Sequence, residues 1–455
     1  MIISTPYSGK TVAVLGLGKS GIATVDSLAA AGAQVFMWDE SPNSDALKAA
    51  MKGNVKALPP EKWPWEKLDA LAMSPGIALS NPVAQKARAM NVPVMGDIDM
   101  LYASCPAATY IGITGTNGKS TTTVLIGHIL QHAGKAPQVG GNLGTAALSL
   151  SPLGEGGAYV LEMSSYQLDL VQQVRFSIAV HLNLSEDHLD RHGSMEGYLS
   201  AKRHIFDRQA DADVAIVGVD DAWSESLARA MTVDRTHRVL PISGQASVAH
   251  GVYVLDGVLH NTLAEEVLTF DMRGIKSLQG AHNGQNAAAA YAACFVAGVS
   301  HEVICEAMQG FAGLAHRMQW LGEVRGVQYV NDSKATNADA AEKALMTYAH
   351  IYWIAGGVAK EGGIASLAPY FPRIRKAYLI GQAAADFAHT LEGHVPFVMS
   401  ETMEAAFAEA AADAERERVE GAAVVLAPAC ASFDQYKNFE VRGEHFAELV
   451  KGLNV

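Results

Sequence analysis

Two glycine-rich turns and a small set of carboxylate, imidazole and lysine side chains carry the chemistry this sequence can support. One turn, second in the chain, is Gly112-Ile113-Thr114-Gly115-Thr116-Asn117-Gly118-Lys119-Ser120-Thr121. It follows the apolar run YIGIT and leads into STTTVLIGHIL, a helix candidate. A strict G-x-x-x-x-G-K-S/T loop needs a glycine where Ile113 stands, so the pattern is G-x-x-G-x-x-G-K-S instead. The physics survives the shift. Gly115 and Gly118, flanking Thr116 and Asn117, let backbone N–H groups converge on phosphate oxygens. Lys119 brings a point charge to the β- and γ-phosphates, and the Ser120 hydroxyl, next to Thr121, can ligate Mg²⁺. A glycine turn with an exposed lysine is the bland alternative. Strand, loop and helix in that order favour ATP or GTP.

The other turn, first in the chain, is Gly16-Leu17-Gly18-Lys19-Ser20-Gly21, directly after the run TVAVLG and opening a small-residue helix. Asp39 ends the next strand, in the dinucleotide-fingerprint position. A helix N-terminus offers free N–H groups and a positive dipole end to a pyrophosphate. The motif specifies a diphosphate better than the base attached to it. A tight strand–helix turn that binds nothing is its alternative.

A third constellation lies downstream. Glu162 ends the strand candidate AYVLEM, and His188 lies in NLSEDHLDRHG after another strand. Both follow carboxyl ends of strands, the usual mouth of an open α/β sheet. One carboxylate, one imidazole and the Ser120 hydroxyl could hold Mg²⁺ beside a triphosphate. A lone histidine is more often structural; His188 stands out by its acidic, strand-terminal loop.

The elements that must position these groups alternate. Strands are expected at 11–16, 35–38, 110–114, 158–163, 178–184, 214–219, 327–331, 351–355, 376–380 and 422–427, with helices at 20–32, after Lys119, and over Met403–Val419. Residues 243–279 read as a small antiparallel excursion. Alternation of strand and helix predicts α/β domains with largely parallel sheets. Joints near Gly96–Leu101 and Phe311–Met318 divide the chain into 1–97, 98–313 and 314–455, as expected for 455 residues at about 150 per domain.

Composition narrows the classes. Apolar residues make up 49% and charged residues 18%, which excludes a disordered chain. The net charge of −13 lacks the basic footprint of a nucleic-acid binder. The 4 cysteines form no C-x-x-C pair, against a disulfide scaffold or structural zinc. The longest nearly apolar run, Ala287–Val299, is too short to cross a bilayer as a helix. No basic leader precedes an apolar core, so a cytoplasmic, monomeric protein without membrane partner is expected.

The motifs GITGTNGKST, EMSSYQL, NLSEDHLDRH, YLSAK, GAHNGQN, AHRMQ, NDSKATN and PACASFDQYKNF occur in that order. Together they resemble the Mur ligase family of peptidoglycan synthesis, over essentially the whole chain. NDSKATN and PACASFDQYKNF most resemble the member that adds D-glutamate to UDP-N-acetylmuramoyl-L-alanine. The resemblance implies a Rossmann-like UDP-binding domain, a central P-loop ATPase domain and a Rossmann-like C-terminal domain that closes on binding. It implies that Gly18, Lys19, Ser20, Asp39, Gly76 and Asn142 face the UDP-sugar substrate. Asn283 and Asn286 would meet the adenine; Arg317, Asp332 and Lys334 would join the ATP site. Two Mg²⁺ ions would be held by Ser120, Glu162, His188 and Lys202, the last as a carbamate. Thr336, Lys360, Ser432 and Phe439 would form the D-glutamate pocket, in which Phe433 stands where leucine is common. Without the resemblance, Lys202 would read as a surface lysine, Gly76 and Asn142 as turn residues, and Ser432 and Phe439 as packing or capping residues.

The activity this implies is an ATP-dependent amide ligation through an acyl phosphate, with no protein nucleophile. Three other readings stay open. A sister ligase, or a folylpolyglutamate synthetase, would differ in amino acid and acceptor. A P-loop switch would hydrolyse nucleotide without an amino acid. An NAD-dependent dehydrogenase would use the first glycine turn alone.

Overall fold

The computed structural model describes residues 1–40, 51, 53–233, 237–278, 280–359 and 362–453. Met1–Gly310 forms one compact unit and Phe311–Val455 a second. Among the described residues the strands assemble into three sheets.

The first sheet holds β1 (Thr11–Leu15), β2 (Gln34–Trp38), β3 (Val55–Ala57), β4 (Ala70–Met73) and β5 (Val94–Met95). Its order is β3-β2-β1-β4-β5, and every pair is parallel. The order reverses between β1 and β4, so their carboxyl ends open a crevice, the usual ligand position in such sheets. Both faces are covered. Val12, Val14, Val35 and Met37 enter one core, and Ala13, Leu15, Phe36, Trp63 and Trp65 the other. That two-sided burial explains why the strands read as continuous apolar runs rather than alternating ones.

The second sheet contains β6 (Thr109–Thr114), β7 (Pro137–Gly141), β8 (Ala158–Glu162), β9 (Ile178–His181), β10 (Val214–Gly218) and β11 (Arg238–Ser243), followed by β12 (Val252–Leu255), β13 (Val258–Asn261) and β14 (Leu268–Asp271). The order is β14-β13-β12-β11-β10-β9-β6-β8-β7. Only β12–β13 and β13–β14 are antiparallel, the excursion read from residues 243–279. β6 is flanked by β8 and β9, so the loops leaving all three strands meet. Here one expectation is corrected. The strand expected over 178–184 ends at His181, because the chain turns away to serve the phosphate loop: Thr116 N–H donates to the Asn183 carbonyl at 2.9 Å.

In the second unit, β15 (Gln319–Val324), β16 (Val327–Asn331), β17 (His350–Gly356), β18 (Ile374–Ile380), β19 (Phe397–Glu401) and β20 (Ala422–Leu426) lie in the order β15-β16-β20-β17-β18-β19. β15 alone is antiparallel to its neighbour. Ile351 and Trp353 point into one core, Tyr352 and Ile354 into the other. The helix expected over Met403–Val419 spans Met403–Glu417 and stops where Arg418 turns left-handed (φ +50°).

Candidate active site

β1 delivers the first glycine turn. Gly16 takes φ +89°, and a Cβ there would lie 2.7 Å from the Ser74 Cβ, so a side chain is excluded on both counts. Gly18 is the N-cap of the helix Lys19–Ala30, and no side chain caps it. Its first N–H groups are therefore left for an anion. Asp39, just past β2, accepts the Leu17 N–H at 2.5 Å, and Ser74 Oγ donates to the Gly16 carbonyl at 3.0 Å. The Lys19 ammonium donates to the Gly144 carbonyl, which belongs to the loop after β7.

β6 delivers the second turn. Gly115 (φ +147°) and Gly118 (φ +83°) bend the loop, and the helix Lys119–His132 starts at once. Lys119 Nζ donates to the Gly115 and Thr116 carbonyls at 2.9 and 2.7 Å. Ser120 is buried and Thr121 half-buried in the first helical turn. The loop is pinned from outside: Asn117 N–H donates to Asn183 Oδ1 at 2.9 Å, and Asn183 Nδ2 to Gln285 Oε1 at 2.8 Å. Gln285, Asn286 and Asn283 share the helix Ala281–Val296. Asn286 is 3% exposed, donates to Asn283 Oδ1 at 3.1 Å, and stands where a Cβ on Gly118 would meet its Oδ1 at 2.0 Å. The fold thus brings both asparagines to the phosphate loop across more than 160 residues of sequence.

Glu162 closes β8 and is 3% exposed. Its Oε1 accepts from Asn142 Nδ2 at 2.8 Å, while Oε2 is buried without a hydrogen-bond partner. An anionic oxygen desolvated in this way fits a hard cation. Lys202, in the helix Met195–Arg203, is 1% exposed and donates to the Gly115 carbonyl at 2.8 Å. Its ammonium also sits 4.5 Å from the Tyr198 ring centroid. Burial, and secondarily the charge of Lys119, pushes the Lys202 pKa well down, which favours the neutral amine. The reading of Lys202 as a surface residue is excluded. His181, at the end of β9, is buried and pushed down to about 3, so it is neutral.

His188 is placed differently. It is 45% exposed, takes φ +53°, and hydrogen-bonds Tyr166 (Nδ1 to hydroxyl, 3.1 Å). Among the described residues no three His, Cys, Asp or Glu side chains surround one metal position.

One cavity of about 730 Å³ joins the two turns. Gly18, Lys19, Ser20, Asp39, Gly76 and Asn142 line one stretch of it, and Lys119, His188 and Lys202 another. Sequence reasoning missed Ser74, Tyr166 and Tyr198 on the same wall. Tyr166 and Tyr198 stand inside EMSSYQL and YLSAK, motifs that carried no signal for a tyrosine role.

In the second unit the remaining candidates follow β16 and β20. Asp332 is 4% exposed, accepts the Met318 N–H at 3.1 Å, and is pushed up to about 6 by burial. The Lys334 ammonium lies 5.7 Å from the Phe439 ring centroid, and the Lys334 N–H donates to the His316 carbonyl at 2.9 Å. Thr336 N–H donates back to the Lys334 carbonyl. Arg317 is exposed, at the start of the same neighbourhood. Ser432 is buried and Phe433 is exposed. Ser333 Oγ donates to the Phe439 carbonyl at 2.8 Å, and Arg442 clamps the Ser333 and Cys430 carbonyls at 2.8 and 3.0 Å. NDSKATN and PACASFDQYKNF are thereby tied together. Lys360 lies outside the described residues.

Comparison with known proteins agrees with this organisation. Three family models match in order: "Mur ligase MurD-like, N-terminal domain" over residues 10–96, "Mur ligase middle domain" over 113–294, and "Mur ligase, glutamate ligase domain" over 316–430. The UDP-N-acetylmuramoylalanine–D-glutamate ligase of Caulobacter vibrioides is 48% identical over 464 residues, covering 100% of this chain and 98% of its own. The enzyme of the same name from Rhizobium etli is 49% identical over 467 residues, covering 100% and 97%. Among solved structures, the UDP-N-acetylmuramate–alanine ligase MurC of Thermotoga maritima superposes with a TM-score of 0.56 at 18% identity, covering 97% of this chain and 99% of that one, a likeness of fold.

Proposed function

The chain belongs to the Mur ligase family, and from that premise we propose that it joins D-glutamate to UDP-N-acetylmuramoyl-L-alanine at the expense of ATP. One observation carries the proposal. A single cavity runs from an anion-ready helix N-terminus to the P-loop lysine, so a substrate held by its diphosphate at one end can present a carboxylate at the other.

A carboxylate is a poor electrophile and needs activation. Its oxygen attacks the γ-phosphorus of ATP, the bond to the ADP oxygen breaks, and an acyl phosphate forms. The D-glutamate amine then adds to the acyl carbon, loses a proton, and the tetrahedral intermediate expels phosphate to leave the amide. Gly115, Thr116, Asn117, Gly118, Ser120 and Thr121 cradle the phosphates with backbone and hydroxyl groups, and Lys119 neutralises the charge gathering on the transferred group. Gly18, Lys19, Ser20, Asp39, Gly76 and Asn142 hold the UDP-sugar. Asn283 and Asn286 take the adenine, and the family resemblance makes Arg317, Asp332 and Lys334 further ATP-binding residues. Ser120, Glu162, His188 and Lys202 as a carbamate would hold two Mg²⁺ ions, which would supply further charge neutralisation. Thr336, Lys360, Ser432 and Phe439 receive D-glutamate, with Lys360 pairing a substrate carboxylate. The domains follow the boundaries 1–97, 98–313 and 314–455, and a single chain does this work in the cytoplasm.

The test is phosphate release with ATP, Mg²⁺ and UDP-N-acetylmuramoyl-L-alanine against D-glutamate, L-glutamate, L-lysine and meso-diaminopimelate. Release with D-glutamate alone, and a product heavier by one glutamyl residue, is expected. Release with another amino acid would move the specificity within the family. Hydrolysis indifferent to any amino acid would overturn the ligase reading.

A further inference from the structure

One residue grips the phosphate loop, and that residue is itself held. Asn183 lies just past β9, where the chain turns away from the sheet. Its carbonyl accepts the Thr116 N–H at 2.9 Å, and its Oδ1 accepts the Asn117 N–H at 2.9 Å. Its amide nitrogen has two hydrogens to place. One goes to the Asn117 carbonyl at 3.3 Å and the other to Gln285 Oε1 at 2.8 Å. Gln285 is 5% exposed, in the helix Ala281–Val296, and its Nε2 donates to Asp220 Oδ2 at 2.8 Å. Asp220 follows β10. Its Oδ2 also accepts the Gly244 N–H at 2.8 Å, and its Oδ1 accepts the Ser243 hydroxyl at 2.5 Å. The Ser243 oxygen in turn accepts the N–H groups of Gln245 and Ala246 at 3.0 and 2.8 Å. The bonds start where β11 ends, pass the ends of β10 and β9, and stop at the loop after β6, in the order of the strands in the sheet.

The two ends of this path fix its direction. A carboxylate only accepts, and a backbone N–H only donates. With Asp220 at one end, Gln285 must turn its NH₂ to the carboxylate and its oxygen to Asn183. Asn183 must then turn its NH₂ to Gln285, which leaves its oxygen facing the Asn117 N–H. Turning either amide over would set like groups against each other at hydrogen-bond distance, where little water reaches them.

We propose that Asp220, Gln285 and Asn183 are a positioning relay for the phosphate loop. The Asp220 carboxylate orients the Gln285 amide, Gln285 orients the Asn183 amide, and Asn183 fixes the Thr116–Asn117 peptide. Asp220 and Gln285 therefore govern nucleotide affinity through the loop.

The inference rests on the reading of this loop as a nucleotide site, and its first readout needs no nucleotide. Gln285→Met keeps the side chain's length and removes both amide atoms. Asp220→Ala removes the carboxylate. Asp220→Asn keeps one oxygen, which can still serve Gln285 and Gly244. Hydrogen exchange of the free full chain, followed by mass spectrometry, reads the loop amides. Calorimetric titration reads a non-hydrolysable ATP analogue and, separately, UDP-N-acetylmuramoyl-L-alanine. In Gln285→Met and in Asp220→Ala, exchange at residues 115–118 should quicken and affinity for the analogue should fall about tenfold, with affinity for the UDP-sugar unchanged. The double variant should lose no more than either single one, because both break the same path. Asp220→Asn should stay within about threefold of the wild type. If Gln285→Met does not fold, the two Asp220 variants carry the test. Loop exchange indifferent to the variants, unchanged affinity for the analogue, or single effects that add in full would each overturn the proposal. Equal loss of both affinities would overturn it too, as the mark of a purely structural role. Quickened exchange in the variants, with a wild type that binds no ATP analogue, would leave the relay standing and fault the nucleotide reading.

Discussion

Two glycines of one turn should fail for opposite reasons. Gly21 sits in the helix Lys19–Ala30, and a Cβ there would lie 1.9 Å from the Gly16 carbonyl oxygen. A carbon–oxygen contact needs roughly 3.3 Å, so helix and turn must separate by about 1.4 Å in Gly21→Ala. That movement strains two bonds of the buried Gly16, its N–H to the Trp38 carbonyl at 2.8 Å and its carbonyl to Ser74 Oγ at 3.0 Å. Each is worth about 1 kcal/mol, and leaving either group unsatisfied costs about 1–3 kcal/mol. Alanine returns about 1 kcal/mol of helix propensity. The net loss should be about 1–5 kcal/mol. Gly18 is exposed, with φ −64° and nothing within 4 Å of its Cβ position. Gly18→Ala should change stability by less than about 0.5 kcal/mol. In the proposed site its methyl group would occupy the approach of the diphosphate, however, so UDP-N-acetylmuramoyl-L-alanine binding should weaken at least about tenfold, or about 1.4 kcal/mol. Denaturant unfolding followed by the fluorescence of buried Trp63 and Trp65 reads the first quantity, and calorimetric titration the second. Binding of an ATP analogue, to a different sheet, is the control. Wild-type stability in Gly21→Ala, or a Gly18→Ala variant that unfolds early yet binds normally, would refute the reasoning.

Other substitutions separate chemistry from stability. Lys202→Met should lower phosphate release about 100-fold or more while leaving thermal stability equal or higher, because burial disfavours the ammonium; a thermal melt beside the activity assay checks both. Asp332, pushed up to about 6 from an ordinary value of 3.8, holds its proton more tightly when folded. Its contribution is complete below pH 3.8 and is lost as pH rises through about 6. Wild-type stability should therefore fall relative to Asp332→Asn between about pH 4 and pH 7, and parallel denaturation curves across that range would disprove it. Asp99, 2% exposed, accepts the N–H groups of Gln172, Gln173 and Val174 at 2.7, 3.0 and 2.9 Å. Asp99→Ala should destabilise the first unit by about 2–4 kcal/mol, measured by chemical denaturation, since it strands three donors.

Much of the fold was legible because its signals are local. Gly16 and Gly118 need left-handed backbone at strand–helix turns, and a glycine after an apolar run announces that need. The helix ending at Glu417 and the antiparallel β12–β14 were likewise readable from alanine content and from turn spacing. The exit of β9 was less so. Leu182 and Leu184 continue the apolar run of the strand, while the Asn183 carbonyl between them serves the Thr116 N–H away from the sheet. Tyr166 and Arg191 gave no signal either, since nothing in the spacing of two residues shows that one stacks on the other.

The sequence by itself determined the order of strands and turns, the place of both glycine loops between strand and helix, and the family, because each depends on residues adjacent in the chain. The tertiary structure decided which side chains meet. It set β6 between β8 and β9, and so brought the Glu162, Asn183 and Lys202 segments to one loop. It buried Lys202 to 1% exposure and left Glu162 Oε2 without a partner. Burial and unpaired charge arise from packing between elements distant in sequence, and no local pattern of residues encodes them.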